Sequence, residues 1–199
     1  MTRTRSWLAI ASALLLLAAC ASPPATRFHS LLATEPPPHA HANSSRVSWE
    51  LGRVDVPAQV DRPQMVLRLA DDSLAVLEQD RWIAPLRDEL RAALAERLSY
   101  RLGPPGAGSG STGGVAAHWR IDVQVLRFDS VPAAQARIVA DWTLRGVDVA
   151  LTCRSSIDVA AVGSISGLVQ AHQRAVERLA DAIARGLDGS RAGQAPGCM

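Results

Sequence analysis

The 199-residue sequence contains no lysine: all 21 of its basic residues are arginines. That absence removes Schiff-base chemistry and the phosphate-binding loop, both of which need a lysine amine. Aromatic residues make up only 4% of the chain, and Tyr100 is the single tyrosine, which leaves tyrosine catalysis one narrow opening. There is no CxxC, no HExxH and no GxGxxG between a strand and a helix, so the common redox, zinc and dinucleotide signatures are missing. Gly163-Ser164-Ile165-Ser166-Gly167 imitates a nucleophile elbow, but its middle residue is isoleucine. The acidic pair Asp71-Asp72 reads as a solvated turn. Nothing brings an acid, a base and an orienting group together. The expectation is a protein that is not an enzyme and carries no cofactor.

What is present begins with a leader. Arg3 and Arg5 precede an apolar run, Trp7 to Ala18, that is too short for a comfortable membrane span. It ends in Leu17-Ala18-Ala19-Cys20, which matches the bacterial lipobox. Residues 1–19 therefore read as a lipoprotein signal peptide, Cys20 as the acylated first residue, and 20–27 as a tether. At about 0.8 kcal/mol per buried CH₂, several acyl chains hold a protein on a membrane almost permanently. Ala21 stands where an aspartate typically retains lipoproteins in the inner membrane, which points to the outer membrane, periplasmic side. Loss of Arg3 and Arg5 leaves 19 basic against 19 acidic residues, so charge makes no case for nucleic acid.

The remaining 180 residues (199 less 19) suffice for one domain with a core. Phe28 to Leu32 offers a short first strand. Residues 35–46 read as a loop; their His39 and His41 lack a third ligand at metal-like spacing, so no metal site is assigned. Val47 to Val56 alternates as a strand, Met65 to Leu69 forms a second extended run, and Leu74 to Leu77 a third. Trp82, Ile83 and Pro85 lead a helix whose leucines 86, 90, 94 and 98 share one face, closed by Gly103 and Pro104-Pro105. The Gly/Ser-rich segment 103–114 is a connector.

Three alternating strands follow. Trp119, Ile121, Val123 and Val125 share a face, with Phe128 out of phase, the mark of a bulge or strong twist. Ala136, Ile138, Ala140, Trp142 and Leu144 share another, and Val147, Val149, Leu151 and Cys153 a third, with Gly146 at the turn. From Ile165, a stripe through Leu168, Val169, His172, Val176, Leu179, Ile183 and Leu187 marks a long closing helix ended by Gly186 or Gly189. His172 on that stripe reads as a packed histidine with a hydrogen-bond partner. In an oxidising compartment Cys153 and Cys198 could pair; Cys153 as a plain buried residue stays the rival reading. The order implies an α/β two-layer sandwich: a mixed, largely antiparallel sheet with two main helices on one face.

The runs "VDVPAQVDRPQMVLR" and "RWIAPLRDELRAALAERLS", with "WRIDVQVLRFD", "VADWTL" and the closing "LVQAHQRAVERLADAIARGL", resemble the paraquat-inducible protein C (PqiC) family of ABC-type transport auxiliary lipoproteins. The likeness covers about residues 28–188, leaving 189–199 as a tail. It implies a hairpin around Pro57 and Pro63 and an accessory role in intermembrane phospholipid transport. The implied partners are a periplasmic MCE-domain tunnel protein (PqiB-like) and its inner-membrane partner. A homo-oligomeric ring would suit such a tunnel. The docking surface would be the wetter sheet face or a sheet edge. Two other readings stay open: a lipid-binding module with an apolar cavity between helices and sheet, or a lipoprotein of another envelope assembly such as the Tol or lipopolysaccharide machinery.

Overall fold

The computed structural model describes residues 25–32, 47–106, 118–192 and 198. Cys20, His39, His41 and most of the connector and tail lie outside the described residues. The longest strand, β5 (His118–Val131), is the spine of the sheet. Along one side it pairs antiparallel with β6 (Gln135–Arg145), which pairs in turn with β7 (Ala150–Ala160). The ladder shifts register between Val125 and Arg127, and Phe128 is buried, so the phase break in the sequence is a bulge.

On its other side β5 is flanked by two strands. β2 (Ser48–Asp55) runs parallel to its first half, and β3 (Gln64–Arg68) runs parallel to its end, through Leu67 and Ser130. The expected hairpin around Pro57 and Pro63 is therefore absent. The amides of Val60 and Asp61 fold back on the Pro57 carbonyl, at 3.0 and 3.1 Å, and this turn offsets the chain without reversing it. The reversal comes later, at Asp71-Asp72-Ser73, where Asp71 accepts bonds from the Ser73 amide and hydroxyl and Asp72 takes a positive φ of 63°.

After that turn, β4 (Leu74–Trp82) outruns its expected length. Its second half pairs in parallel with the three-residue edge strand β1 (Arg27–His29), and the Trp82 amide donates to the Pro63 carbonyl. Trp82 thus ends a strand instead of leading a helix. The helix, α1 (Leu86–Leu102), starts after Pro85, which occupies the cap position. Its Leu86, Leu90, Leu94, Leu98 and Leu102 are all buried, each contributing about 1.5–3 kcal/mol. Gly103, at φ 85°, ends it, and the freed Gly103 carbonyl accepts the Trp49 indole N–H at 2.9 Å.

β7 also departs from expectation. It begins at Ala150, leaving Val147 and Val149 exposed in the turn, and continues seven residues past Cys153 to Ala160. The inward Ser155 is tolerated because its hydroxyl accepts the Trp142 Nε1–H at 3.0 Å. Ser164 caps α2 (Ile165–Arg191) by accepting the Gly167 amide. Neither Gly186 nor Gly189 stops this helix, which runs on to Arg191. Instead a β-carbon on Gly186 would sit 2.5 Å from the Trp142 ring, so the glycine permits close approach to the sheet. Among the described residues both helices lie on one face of a seven-stranded mixed sheet, ordered β1-β4-β3-β5-β6-β7 with β2 also on β5, so the α/β sandwich stands. Cys153, beneath α2, is joined to Cys198 by a disulfide spanning 5.3 Å between Cα atoms.

Candidate docking surface

The alternation that buries Ile138, Ala140 and Trp142 puts Arg137, Asp141, Thr143 and Arg145 on the opposite, helix-free side of β6. The neighbouring strands supply their partners at the same level. Arg154 of β7 grips Asp141 through two bonds of 2.6 and 2.8 Å. Arg137 does the same to Asp158 at 2.5 and 3.2 Å, and Thr143 meets Thr152 at 3.0 Å. Asp122 of β5 collects Arg120, Arg145 and the backbone amide of Arg53, while Glu50 of β2 holds Arg120 at 3.0 Å. The result is a ladder of arginines and carboxylates across β2, β5, β6 and β7. Gly52 belongs to it: a β-carbon there would collide with the Asp122 carboxylate and lie 2.8 Å from Arg120 Nε.

This surface is fixed in charge. The hydrogen bond from Arg154 holds the Asp141 carboxyl below its usual range against the opposing effect of burial, and Asp141 in turn raises the Arg154 pKa. The Arg137 pKa is raised by its bond to Asp158. The groups nonetheless keep their outer edges in water, around an open cleft that includes Arg53, Gln124 and Arg145. Such a face presents paired charges to solvent. Two sheet edges offer less. Arg91 donates to the Leu51 and Gly52 carbonyls on β2; Arg174 and Arg178 donate to Ala160 and Asp158 on β7. Cys198 Sγ lies 3.7 Å from the Thr152 carbonyl on that same edge. Helix arginines thus occupy carbonyl groups that a pairing strand would need.

His172 lies elsewhere. It is fully buried, its ring stacked on Phe128 and its Nε2 2.8 Å from the Ser130 hydroxyl. Burial pushes its pKa down to about 3, so it is neutral across the physiological range. It is a packed residue with one hydrogen-bond partner.

One cluster was not visible in the sequence pattern. Asp80, buried on β4, is bound by Arg27 through two bonds of 2.9 and 2.7 Å and faces His29 Nε2 at 2.9 Å. Burial alone would raise its pKa; the bonds from Arg27 and His29 outweigh that and leave it lowered. Next along, the buried Glu89 of α1 accepts from the Ser30 hydroxyl and the Leu31 amide, both at 2.8 Å. Gln173 of α2 donates to the Ser30 and Leu32 carbonyls. Residues 27–32 are thus clamped to a strand and both helices. Only the pairing of an apolar stretch with isolated acids 50 to 60 residues away could have signalled this, and such pairing has no local signature.

Among the described residues no helix is long and apolar enough to cross a membrane. Residues 29–184 match the family described as the ABC-type transport auxiliary lipoprotein component. Two crystal structures share the fold. One, of an uncharacterised protein, has 16% identity and a TM-score of 0.65 over 82% of this chain and 99% of its own. The other, from Xanthomonas campestris, has 15% identity and a TM-score of 0.56 over 85% of this chain and 96% of its own. No protein with a curated description matches significantly.

Proposed function

The chain belongs to the ABC-type transport auxiliary lipoprotein component family, and from that premise we propose a specific role for it. It is anchored through Cys20 in the outer membrane, faces the periplasm, and serves an MCE-type intermembrane phospholipid transport system as a non-catalytic docking subunit. The observation that carries this reading is the helix-free sheet face. Its Arg–carboxylate ladder is solvent-reachable, rigid and balanced in charge, which suits specific protein contact more than capture of a charged small molecule. The partner docked there is the MCE-domain tunnel protein, and several copies arranged as a ring would match a symmetric tunnel.

The lipid-binding alternative needs an apolar cavity between helices and sheet. That space is packed: Trp49, Trp142, Leu90, Leu94, Ile121 and Ile183 are each no more than 2% exposed. Docking is therefore the reading that the interior favours.

The test is a crosslinked pull-down of the tagged lipoprotein from membranes, beside Cys20→Ala and beside Asp141→Arg, which sets a like charge against Arg154. Recovery of an MCE-domain protein that weakens with loss of the anchor or with ladder disruption is the expected result. Recovery only of Tol or lipopolysaccharide-assembly components would overturn it.

A further inference from the structure

Two of the most exposed large apolar side chains stand together where the chain enters the fold. Phe28 of β1 is 60% exposed and Ile83, just past β4, is 62% exposed. They share one sheet edge: Phe28 is level with Arg81, and the Ile83 amide donates to the His29 carbonyl at 2.9 Å. The next residues along the entry segment, Leu31 and Leu32, are buried and 40% exposed. Water contact at such side chains is costly, and here the costly contact is held in place. Asp80, Glu89 and Gln173 clamp residues 27–32, so Phe28 cannot fold away.

Distance decides what can cover them. Eight residues separate Cys20 from Phe28, which at full extension is about 27 Å. An acylated Cys20 therefore confines this edge to the neighbourhood of the bilayer surface. The flanking charges are already neutralised: Arg27 is paired with Asp80 and Arg81 with Glu78. A patch of this kind, with an aromatic ring, a branched aliphatic and arginine stems but no net charge, fits the lipid interface.

We propose that the β1 edge, through Phe28 and Ile83, rests in the interfacial region of a phospholipid bilayer and sets the orientation of the domain on its membrane. The proposal rests on the anchoring at Cys20 stated above. Its occupant is the lipid surface itself, independent of headgroup charge. With β1 against the membrane, β7 at the far end of the strand order stands away from it. The ladder face on β5–β7 is then presented to the periplasm.

The experiment uses the full mature protein in membranes. Its first arm is the intact mass of the N-terminal peptide, which reports acylation of Cys20 by itself. Its second places a photocrosslinker singly, as Phe28→p-benzoylphenylalanine, Ile83→p-benzoylphenylalanine and, as control, Val147→p-benzoylphenylalanine in the exposed β6–β7 turn. Vesicles of phosphatidylethanolamine and phosphatidylcholine, without anionic lipid, receive the purified acylated variants. Phospholipid adducts at positions 28 and 83, none above background at 147, and no loss at high salt are expected. Equal adducts at all three positions, or adducts at 28 and 83 with protein alone in native membranes, overturn the proposal while leaving the anchor intact. An unacylated Cys20 overturns both the anchor and the proposal.

Discussion

The His172 ring lies flat on Phe128, 4.0 Å between centroids and 6° between planes, with its other neighbour Trp82 edge-on at 6.3 Å. This apolar enclosure makes the histidine a source of acid sensitivity. Its folded pKa is about 3 against an ordinary value near 6.5, so the unfolded chain binds the extra proton first. Stability is full above about pH 6.5 and falls as the pH drops toward 3. Urea denaturation should show about 2–3 kcal/mol less stability at pH 4.5 than at pH 7. The carboxylates with lowered pKa, Asp71, Asp80 and Asp141, lose their contribution only below about pH 4 and do not mask this. His172→Gln should flatten the profile between those two pH values, whatever it does to stability at pH 7.

Two glycines of α2 should answer the same substitution with opposite signs. Gly186→Ala drives a methyl against the Trp142 ring, and overpacking of about 1–3 kcal/mol outweighs the gain in helix propensity. Gly189 has nothing within 4 Å, so Gly189→Ala should stabilise by up to about 1 kcal/mol. Paired thermal melts read the difference directly.

Ser155→Ala removes the acceptor of the Trp142 indole N–H inside the core. The orphaned donor should cost about 1–3 kcal/mol, measured as a shift in urea midpoint at constant slope. Unchanged stability would mean that water reaches the indole.

Cys198→Ser should cost about 2–4 kcal/mol, since the bridge closes a 45-residue separation. The wild type should fall to the same stability in reductant, and the variant should ignore it. A wild type insensitive to reductant would contradict the bond.

Much of this architecture is readable in the sequence because it is periodic. The β6 stripe from Ala136 to Leu144 and the α2 stripe from Leu168 to Leu187 are both buried as their spacing requires. Phe128 even betrays the bulge. Sequence pattern and structure part where the determinant is non-local or the period is interrupted. Pro57 and Pro63 look like hairpin punctuation, yet β2 and β3 both run parallel to β5, some 60 to 70 residues on, and β3 takes its antiparallel partner from β4. Ser155 breaks the apolar alternation of β7, so the strand seems to end at Cys153; only the indole of Trp142 explains its continuation. The ladder is half legible. Each strand shows its alternating charges, but which arginine meets which carboxylate depends on register.

The clamp on residues 27–32 has a mechanical side. On the proposed anchoring at Cys20, any pull from the membrane arrives first at β1, a strand of only three residues. Backbone pairing alone would let it peel away one bond at a time. Arg27 and His29 pass tension to β4 through Asp80, Ser30 and Leu31 pass it to α1 through Glu89, and Gln173 brings in α2. Force entering at one edge is thereby divided over both layers of the sandwich, so Asp80→Asn should lower the rupture force of the tether well before it changes the melting temperature.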